Sequence, residues 1–411
     1  MSNQISARSV AQPNERGAGT SFDHTGARAL LDSRILVVDD DATSRSMIAL
    51  TLKKHGFWDI RTAVDGRGAL AQIAAAPPDL VVLDILMPEI DGFAVCRQLR
   101  RDPRLADLPI VIQTALHSAS DRVKAFECGA TDFVSKPINP RELIARISIH
   151  LERRLLIESL TSYQTRIQEE LGLARQMQRD LLPSADRIGA VRDRYGVDVA
   201  GYFEPSSEIG GDLWGIRAID DSRLGLYLLD FSGHGVGAAL NTFRIQGLIS
   251  ELWSLAAEPS LLLENLNLRL CEVLGLGQFV TIFFAALDIG YAAIEFATAG
   301  APAAVLVGGI DEPPCLLDGS GLPLGLMKSA SYPSRHASLP YGSSLFLVSD
   351  GVLEARDRDG AMLDAAGFGA VACRTAREGD AARVVAAVVD DFARRVAAPP
   401  EDDLTVVCLR R

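Results

Sequence analysis

The chain is 411 residues long, beyond one ordinary domain, and 48% of it is apolar, enough for two or three domains each to bury a core. Its formal net charge is −12 and no Lys/Arg-rich stripe interrupts it, which excludes a nucleic-acid-binding surface as its main business. Six cysteines without a CxxC pair exclude a disulfide scaffold and a zinc site, and read as reduced thiols in the cytoplasm. Nothing at the start reads as a secretory leader. The longest apolar stretch, 279–296, is broken by Asp288, Gly290 and Glu295, so paired strands are expected there and no membrane span.

Residues 1–33 are rich in Ser, Gly, Ala, Asn and Arg and hold few large apolar side chains. Such a composition cannot offset its ordering entropy, so a mobile tail is expected. From 34 to 153 apolar runs alternate with helical patterns. Ile35-Leu36-Val37-Val38 ends in Asp39-Asp40, Leu80-Val81-Val82-Leu83 ends in Asp84, Ile110-Val111-Ile112 leads to Thr114, and Phe133-Val134 leads to Lys136-Pro137. Residues 44–55 are apolar at helical spacing, and Gly56 stops them. This predicts an α/β doubly wound domain on a parallel sheet, with its ligand at the carboxyl edge of the strands. Three carboxylates crowded there repel one another unless a divalent cation neutralises them, so Mg²⁺ is expected at Asp39, Asp40 and Asp84, with Lys136 ready to meet a second anion. That is what an aspartyl-phosphate site needs. The competing reading is that these acids only cap helices.

Between 140 and 182 only Gly172 interrupts a helical pattern. Leu156, Leu160, Tyr163, Ile167, Leu171, Ala174, Met177 and Leu181 fall on one narrow stripe, charges fill the remainder, and Pro183 ends it. A linker helix over 141–183 is predicted, pairing with a second copy as a coiled coil and so making a homodimer. A lone amphipathic helix is the alternative.

Residues 190–411 read as strands interrupted by helices at 238–255 and 259–274, an α+β layered domain. Acids again stand where strands end: Gly210-Gly211-Asp212, Asp230-Phe231-Ser232-Gly233-His234-Gly235, Ser349-Asp350-Gly351 and Glu401-Asp402-Asp403. Oxygen ligands without a His/Cys set argue for Mg²⁺ or Mn²⁺. Two such ions about 4 Å apart can clamp a phosphate and activate a bridging water.

The first constellation resembles the receiver domain of two-component response regulators. The resemblance implies Asp39 and Asp40 as metal-binding acids, Asp84 as phosphoacceptor, Thr114 as switch hydroxyl, Phe133 as switch aromatic and Lys136 as the phosphate-sensing lysine. It also implies a cis peptide before Pro137 and a sensor histidine kinase as partner. The second constellation resembles metal-dependent protein serine/threonine phosphatases of the protein phosphatase 2C type, nearest to their bacterial sporulation and stress-response branch. The segment from Glu170 to Pro183 is similar to that branch's lead-in helix, and its fold implies a β-sandwich. Asp212 and Asp230 are implied metal ligands, with Asp230 bridging two or more Mn²⁺ or Mg²⁺ ions. The carbonyl of Phe231, Asp350 and Asp402 complete the set, and Asp403 competes with Asp402 for its place. Two positions depart from the branch: Gly215 stands where an acid is usual, and Thr298-Ala299-Gly300-Ala301 replaces Asn-Ala-Gly-His. His234 is read as a loop residue rather than a general acid.

Together these imply a response regulator whose phosphorylation at Asp84 controls a phosphoserine/phosphothreonine phosphatase. The implied substrate is a phosphorylated anti-sigma-factor antagonist in a partner-switching pathway. The rival is an inert pseudophosphatase that serves as a phosphorylation-gated adaptor for a sigma or anti-sigma factor.

Overall fold

The computed structural model describes residues 30–114, 119–233, 235–309, 312–357, 360–396 and 402–411. Residues 1–29 of the expected tail, His234 and Glu401 lie outside the described residues. The chain divides into two compact units, Met1–Arg166 and Ile167–Arg411.

In the first unit, strands β1 (Ile35–Val38), β2 (Ile60–Ala63), β3 (Leu80–Asp84), β4 (Ile110–Thr114) and β5 (Asp132–Ser135) form one sheet in the order β2-β1-β3-β4-β5. Every pairing is parallel. All residues of β1, β3 and β4 are buried, because helices cover both faces of a parallel sheet. That two-sided burial is why these strands read as unbroken apolar runs. One face packs Leu36, Val38, Val81 and Ile112 against Ile73, Val95 and Leu99. The other packs Ile35, Val37 and Val82 against Ile48, Leu52, Leu143, Ile147 and Leu151. The helices are α1 (Ala42–Lys54), α2 (Gly66–Ala75), α3 (Gly92–Arg100) and α4 (Ala119–Glu127). The Asp41 carboxylate accepts the backbone N–H groups of Thr43 and Ser44 and so starts α1, and Gly56, at φ 95°, turns the chain out of it. The Lys136–Pro137 peptide is cis.

Helix α5 runs Pro140–Leu181. Its beginning is held by Leu143, Ile147 and Leu151 in the core of the first unit. Further on, Leu156, Leu160 and Tyr163 are 65%, 62% and 63% exposed, so the apolar stripe faces water in the single chain.

The second unit is a sandwich. It adds α6 (Ala185–Tyr195), β6 (Asp198–Glu204), β7 (Leu213–Ala218), β8 (Arg223–Phe231), α7 (Val236–Glu251), α8 (Pro259–Val273), β9 (Val280–Asp288), β10 (Ala293–Ala299) and β11 (Ala304–Val307). After these come β12 (Cys315–Leu317), β13 (Arg335–Ser338), β14 (Ser344–Val348), α9 (Asp350–Glu354), α10 (Asp364–Thr375), α11 (Ala381–Arg395) and β15 (Leu404–Arg410). The two five-stranded sheets run β13-β10-β9-β8-β7 and β12-β11-β14-β15-β6. Trp214, Leu226, Leu228, Phe283 and Phe296 from one sheet meet Val199, Leu345, Leu347 and Val407 from the other, with Phe283 stacked on Phe296 at 5.4 Å. Burying one such ring contributes about 2–3 kcal/mol. The outer face of the first sheet is covered by α7 and α8 through Ile245, Ile249, Leu262, Leu266 and Leu270. That of the second is covered by α10 and α11 through Phe368, Val371, Val384 and Val388. The result is helix, sheet, sheet, helix, each layer burying the apolar side of the next.

Four helices of this unit, α6, α9, α10 and α11, fall outside the two that periodicity predicts. Helix α10 is rich in Ala and Gly, so its pattern is faint. Helix α11 carries Val384, Val385 and Val388 at helical spacing, a pattern legible in the sequence. Strand β7 follows directly on Asp212 and is weakened as a pattern by Gly215 and Arg217.

Candidate functional sites

In the first unit the chain order reverses between β1 and β3, which opens a crevice at their carboxyl ends. Asp39 follows β1, Asp84 ends β3 and Thr114 ends β4, so all three reach that crevice. Asp39, Asp40 and Asp84 bring carboxylate oxygens within 4.8 Å of one another. The Lys136 ammonium lies 2.7 Å from Asp84 Oδ2 and 3.2 Å from Asp39 Oδ2. Asp39 is fixed further by the Ser44 hydroxyl at 2.7 Å and the Asp41 N–H at 2.9 Å. Gly92 lets the loop after Asp84 fold back on the strand, since a Cβ there would stand 2.2 Å from the Asp84 carbonyl oxygen. Burial pushes the Asp84 carboxyl above the usual carboxylate range, against the Lys136 hydrogen bond, and the Asp39 charge adds to the rise. Three acids against one lysine leave an excess of negative charge, and a hard divalent cation fits that donor set. Phe133 lies on β5, edge-on to Phe126 at 6.0 Å and beneath the Arg146 guanidinium at 5.6 Å. Thr114 is buried.

In the second unit Asp212 precedes β7, Asp230 sits near the end of β8, Asp350 opens α9 and Asp402 precedes β15. The loops are drawn together by glycines and the Ser349 hydroxyl. A Cβ on Gly211 would stand 2.7 Å from the Phe231 carbonyl oxygen and 2.9 Å from Asp230 Oδ1. A Cβ on Gly351 would stand 2.2 Å from the Asp403 carbonyl oxygen. The Ser349 hydroxyl donates to that carbonyl at 3.0 Å and accepts the Thr405 N–H at 2.9 Å. Thus the start of α9 is tied to the start of β15, and Asp350 comes beside Asp402.

No Lys or Arg pairs with Asp212, Asp230, Asp350 or Asp402 among the described residues. Burial, and then the charge of Asp230, push Asp212 well above the carboxylate range. Burial, and then Asp350 and Asp402, push Asp230 up to about 8, and burial with Asp402 raises Asp350. Asp212 is 1% exposed; its Oδ2 accepts the Thr405 hydroxyl at 2.5 Å, while Oδ1 has no hydrogen-bond partner. A buried, unpaired carboxylate oxygen among other acids is costly unless a cation meets it. In kind and charge the residues present therefore fit divalent metal ions, but among the described residues no three of these carboxylates come within 4.8 Å of one another as Asp39, Asp40 and Asp84 do.

Asp402 and Asp403 part ways here. Asp403 is 2% exposed and accepts the backbone N–H of Ser206 at 2.8 Å, of Gly211 at 2.5 Å and of Asp212 at 3.3 Å. Asp402 is exposed and its charge acts on Asp230 and Asp350. In the sequence Ser206 and Thr405 carry no assigned role, and Asp403 stands only as a rival of Asp402 for one metal position. Gly215 faces Tyr227, where a Cβ would meet the phenol oxygen at 2.3 Å, and the phenol donates to Gln246 at 2.5 Å. Ala301 lines a cleft together with Asp230, Thr281 and Asp350.

Residues 35–148 match the family described as response regulator receiver domain, and residues 220–411 match Stage II sporulation protein E (SpoIIE). By these matches the chain joins a response regulator receiver domain to a SpoIIE-family domain. The receiver is 40% identical over 120 residues to the DNA-binding dual master transcriptional regulator RpaA of Synechocystis, covering 29% of this chain and 49% of that protein. It is 40% identical over 130 residues to the response regulator PleD of Caulobacter vibrioides, covering 32% of this chain and 28% of that protein. The chain thus spans half or less of the length of these curated relatives. The SiaA-PP2C domain of Pseudomonas aeruginosa has the same fold as the second unit: TM-score 0.54, 22% identity, 61% of this chain and 98% of that one. No helix among the described residues is long and apolar enough to cross a membrane.

Proposed function

We propose that phosphorylation of Asp84 by a sensor histidine kinase controls a Mg²⁺- or Mn²⁺-dependent phosphatase that removes phosphate from phosphoserine or phosphothreonine in a protein. The observation that carries the output half is the buried Asp212 Oδ1, unpaired in a group of acids with no cation of the protein's own. Asp212, Asp230, Asp350, Asp402 and the Phe231 carbonyl would hold the ions. Asp403 serves instead as the anchor of the Gly211–Asp212 backbone, because its oxygens already take three N–H groups. Bound divalent ions supply charge neutralisation at the phosphate and an activated water. The acids would have to be ionised to hold them, and the glycines at 211 and 351 keep the backbone close. At the receiver, Asp39 and Asp40 would hold Mg²⁺ beside Asp84, and Lys136 would meet the incoming phosphate. Thr114 and Phe133 are the residues proposed to re-pack around that new charge.

The substrate in this reading is a phosphorylated anti-sigma-factor antagonist, and the chain works as a cytoplasmic homodimer paired along the exposed stripe of α5. The adaptor reading keeps one observation in its favour: Ala301 lines the cleft beside Asp230 where the resemblance has a histidine. Hydrolysis of a phosphothreonine peptide separates the two. Turnover that needs Mn²⁺ and disappears in Asp230→Ala supports the phosphatase; no turnover of peptide or phosphoprotein, with the ions bound, supports the adaptor.

A further inference from the structure

Gln178 lies in the last turns of α5, and although polar it is 1% exposed. Its side-chain amide pairs with a single peptide unit across the fold. Nε2 donates to the Gly210 carbonyl oxygen at 2.7 Å, and Oε1 accepts the Gly210 N–H at 3.2 Å. A glutamine so placed occupies both backbone groups of Gly210, as a neighbouring strand would. Three residues earlier, Arg175 Nε donates to the Glu208 carbonyl oxygen at 2.8 Å, so α5 grips the same loop twice.

The loop it grips carries Asp212. Gly210 has no room for a side chain, because a Cβ there would stand 2.2 Å from Asp403 Oδ2. The segment 210–212 is therefore clamped from two sides: Gln178 holds Gly210, and Asp403 takes the N–H groups of Gly211 and Asp212. The next residue, Gly211, lies against Asp230 Oδ1 and the Phe231 carbonyl. A shift of Gly210 by a fraction of an ångström would thus move Asp212 against the acids it must join.

We infer that Gln178 is a positioning residue for the metal centre: it sets the Gly210–Asp212 loop and makes the geometry of Asp212 depend on where the end of α5 lies. The inference rests on the phosphatase reading above and adds to it the point at which the helix is felt. It also explains a polar residue on an apolar face. Ala174, Gln178 and Leu181 succeed one another at helical spacing, and a side chain there with no amide would leave Gly210 N–H and C=O buried without partners.

The test is a Mn²⁺ titration of the full-length protein followed by electron paramagnetic resonance, which reads binding without turnover. Asp212→Asn identifies the class of sites that belongs to the phosphatase. Gln178→Met keeps the length and removes both hydrogen bonds. It is expected to weaken that class by roughly 10- to 100-fold, the usual effect of losing a partner that orients a metal ligand. Activity at saturating Mn²⁺ should recover to within a few-fold of wild type, a split that simple unfolding would not give. Should Gln178→Met fail to fold, Gln178→Glu still accepts the Gly210 N–H but cannot donate to its carbonyl, and must show the same weakened class. Unchanged Mn²⁺ affinity in a folded variant overturns the inference. Absence of any Asp212-dependent Mn²⁺ class in the wild-type protein is a different result, and it overturns the phosphatase reading together with this one.

Discussion

Thr405 donates its hydroxyl to Asp212 Oδ2 at 2.5 Å, with both residues buried and the other carboxylate oxygen without a hydrogen-bond partner. Thr405→Val keeps the shape and removes the donor. Without metal, the variant should lose about 1–3 kcal/mol of stability, the cost of leaving a buried acceptor unpaired. A thermal melt in chelator reads it, and an unchanged melt would show that the hydroxyl carries no weight there.

Gly211 tests the close approach in the same loop. In Gly211→Ala the added methyl meets the Phe231 carbonyl oxygen at 2.7 Å and Asp230 Oδ1 at 2.9 Å, so one of them must move. Phosphatase activity should fall roughly 10- to 100-fold, as expected when metal ligands lose their placement. Circular dichroism should stay that of the folded protein. Full activity in this variant would contradict the assignment of Asp230 and Phe231 to one site.

The receiver offers a pH test away from its metal acids. Asp132 accepts Arg146 Nη1 at 2.7 Å and His150 Nε2 at 3.0 Å. Burial pushes its carboxyl up, but the hydrogen bonds from Arg146 and His150 outweigh this and hold it below the usual range. A depressed folded value means that the stabilisation is complete above the ordinary carboxylate range and is lost as pH falls through the folded value. Asp132→Asn should therefore cost about 1–2 kcal/mol at neutral pH, and the gap to wild type should close in acid. Urea unfolding at several pH values measures it; a gap that widens on acidification would reverse the sign and refute the account.

The stripe on α5 makes a prediction of its own. Leu160 and Tyr163 are 62% and 63% exposed in the single chain. If a second copy covers them, Leu160→Glu with Tyr163→Glu should convert a dimer to a monomer in sedimentation velocity. A wild-type protein that is already monomeric at micromolar concentration contradicts the paired helix.

Much of this was legible because of burial on two faces. Strands β1, β3 and β4 have helices on both sides, so their residues must all be apolar and the polar residue that follows each stands out. The acids of the second unit were legible one by one, through the glycines beside Asp212 and Asp350. What the chain order hides is the division of labour between neighbours. Asp402 and Asp403 are adjacent, and only the arrival of Ser206 and the 210–212 loop, nearly two hundred residues earlier, buries one as an anchor and leaves the other exposed. Gln178 was hidden for the same reason: in the helix it is one polar residue among many, and its burial depends on a loop that closes on it from 32 residues away. Helices α6 and α10 owe their places to tertiary packing more than to pattern, with Phe368 of α10 against Phe346 of β14 at 6.1 Å.

The central claim is that the receiver governs the phosphatase through Asp84. The most direct measurement is Mn²⁺-dependent hydrolysis of a phosphothreonine peptide by the full-length protein, with and without beryllofluoride, which mimics phosphate on the acceptor carboxylate. The account predicts that beryllofluoride changes the rate in wild type, that Asp84→Asn keeps the basal rate but no longer responds, and that Asp230→Ala has no rate to change. An identical rate with and without beryllofluoride, in a protein shown to bind it, or a response that survives in Asp84→Asn, would contradict the claim.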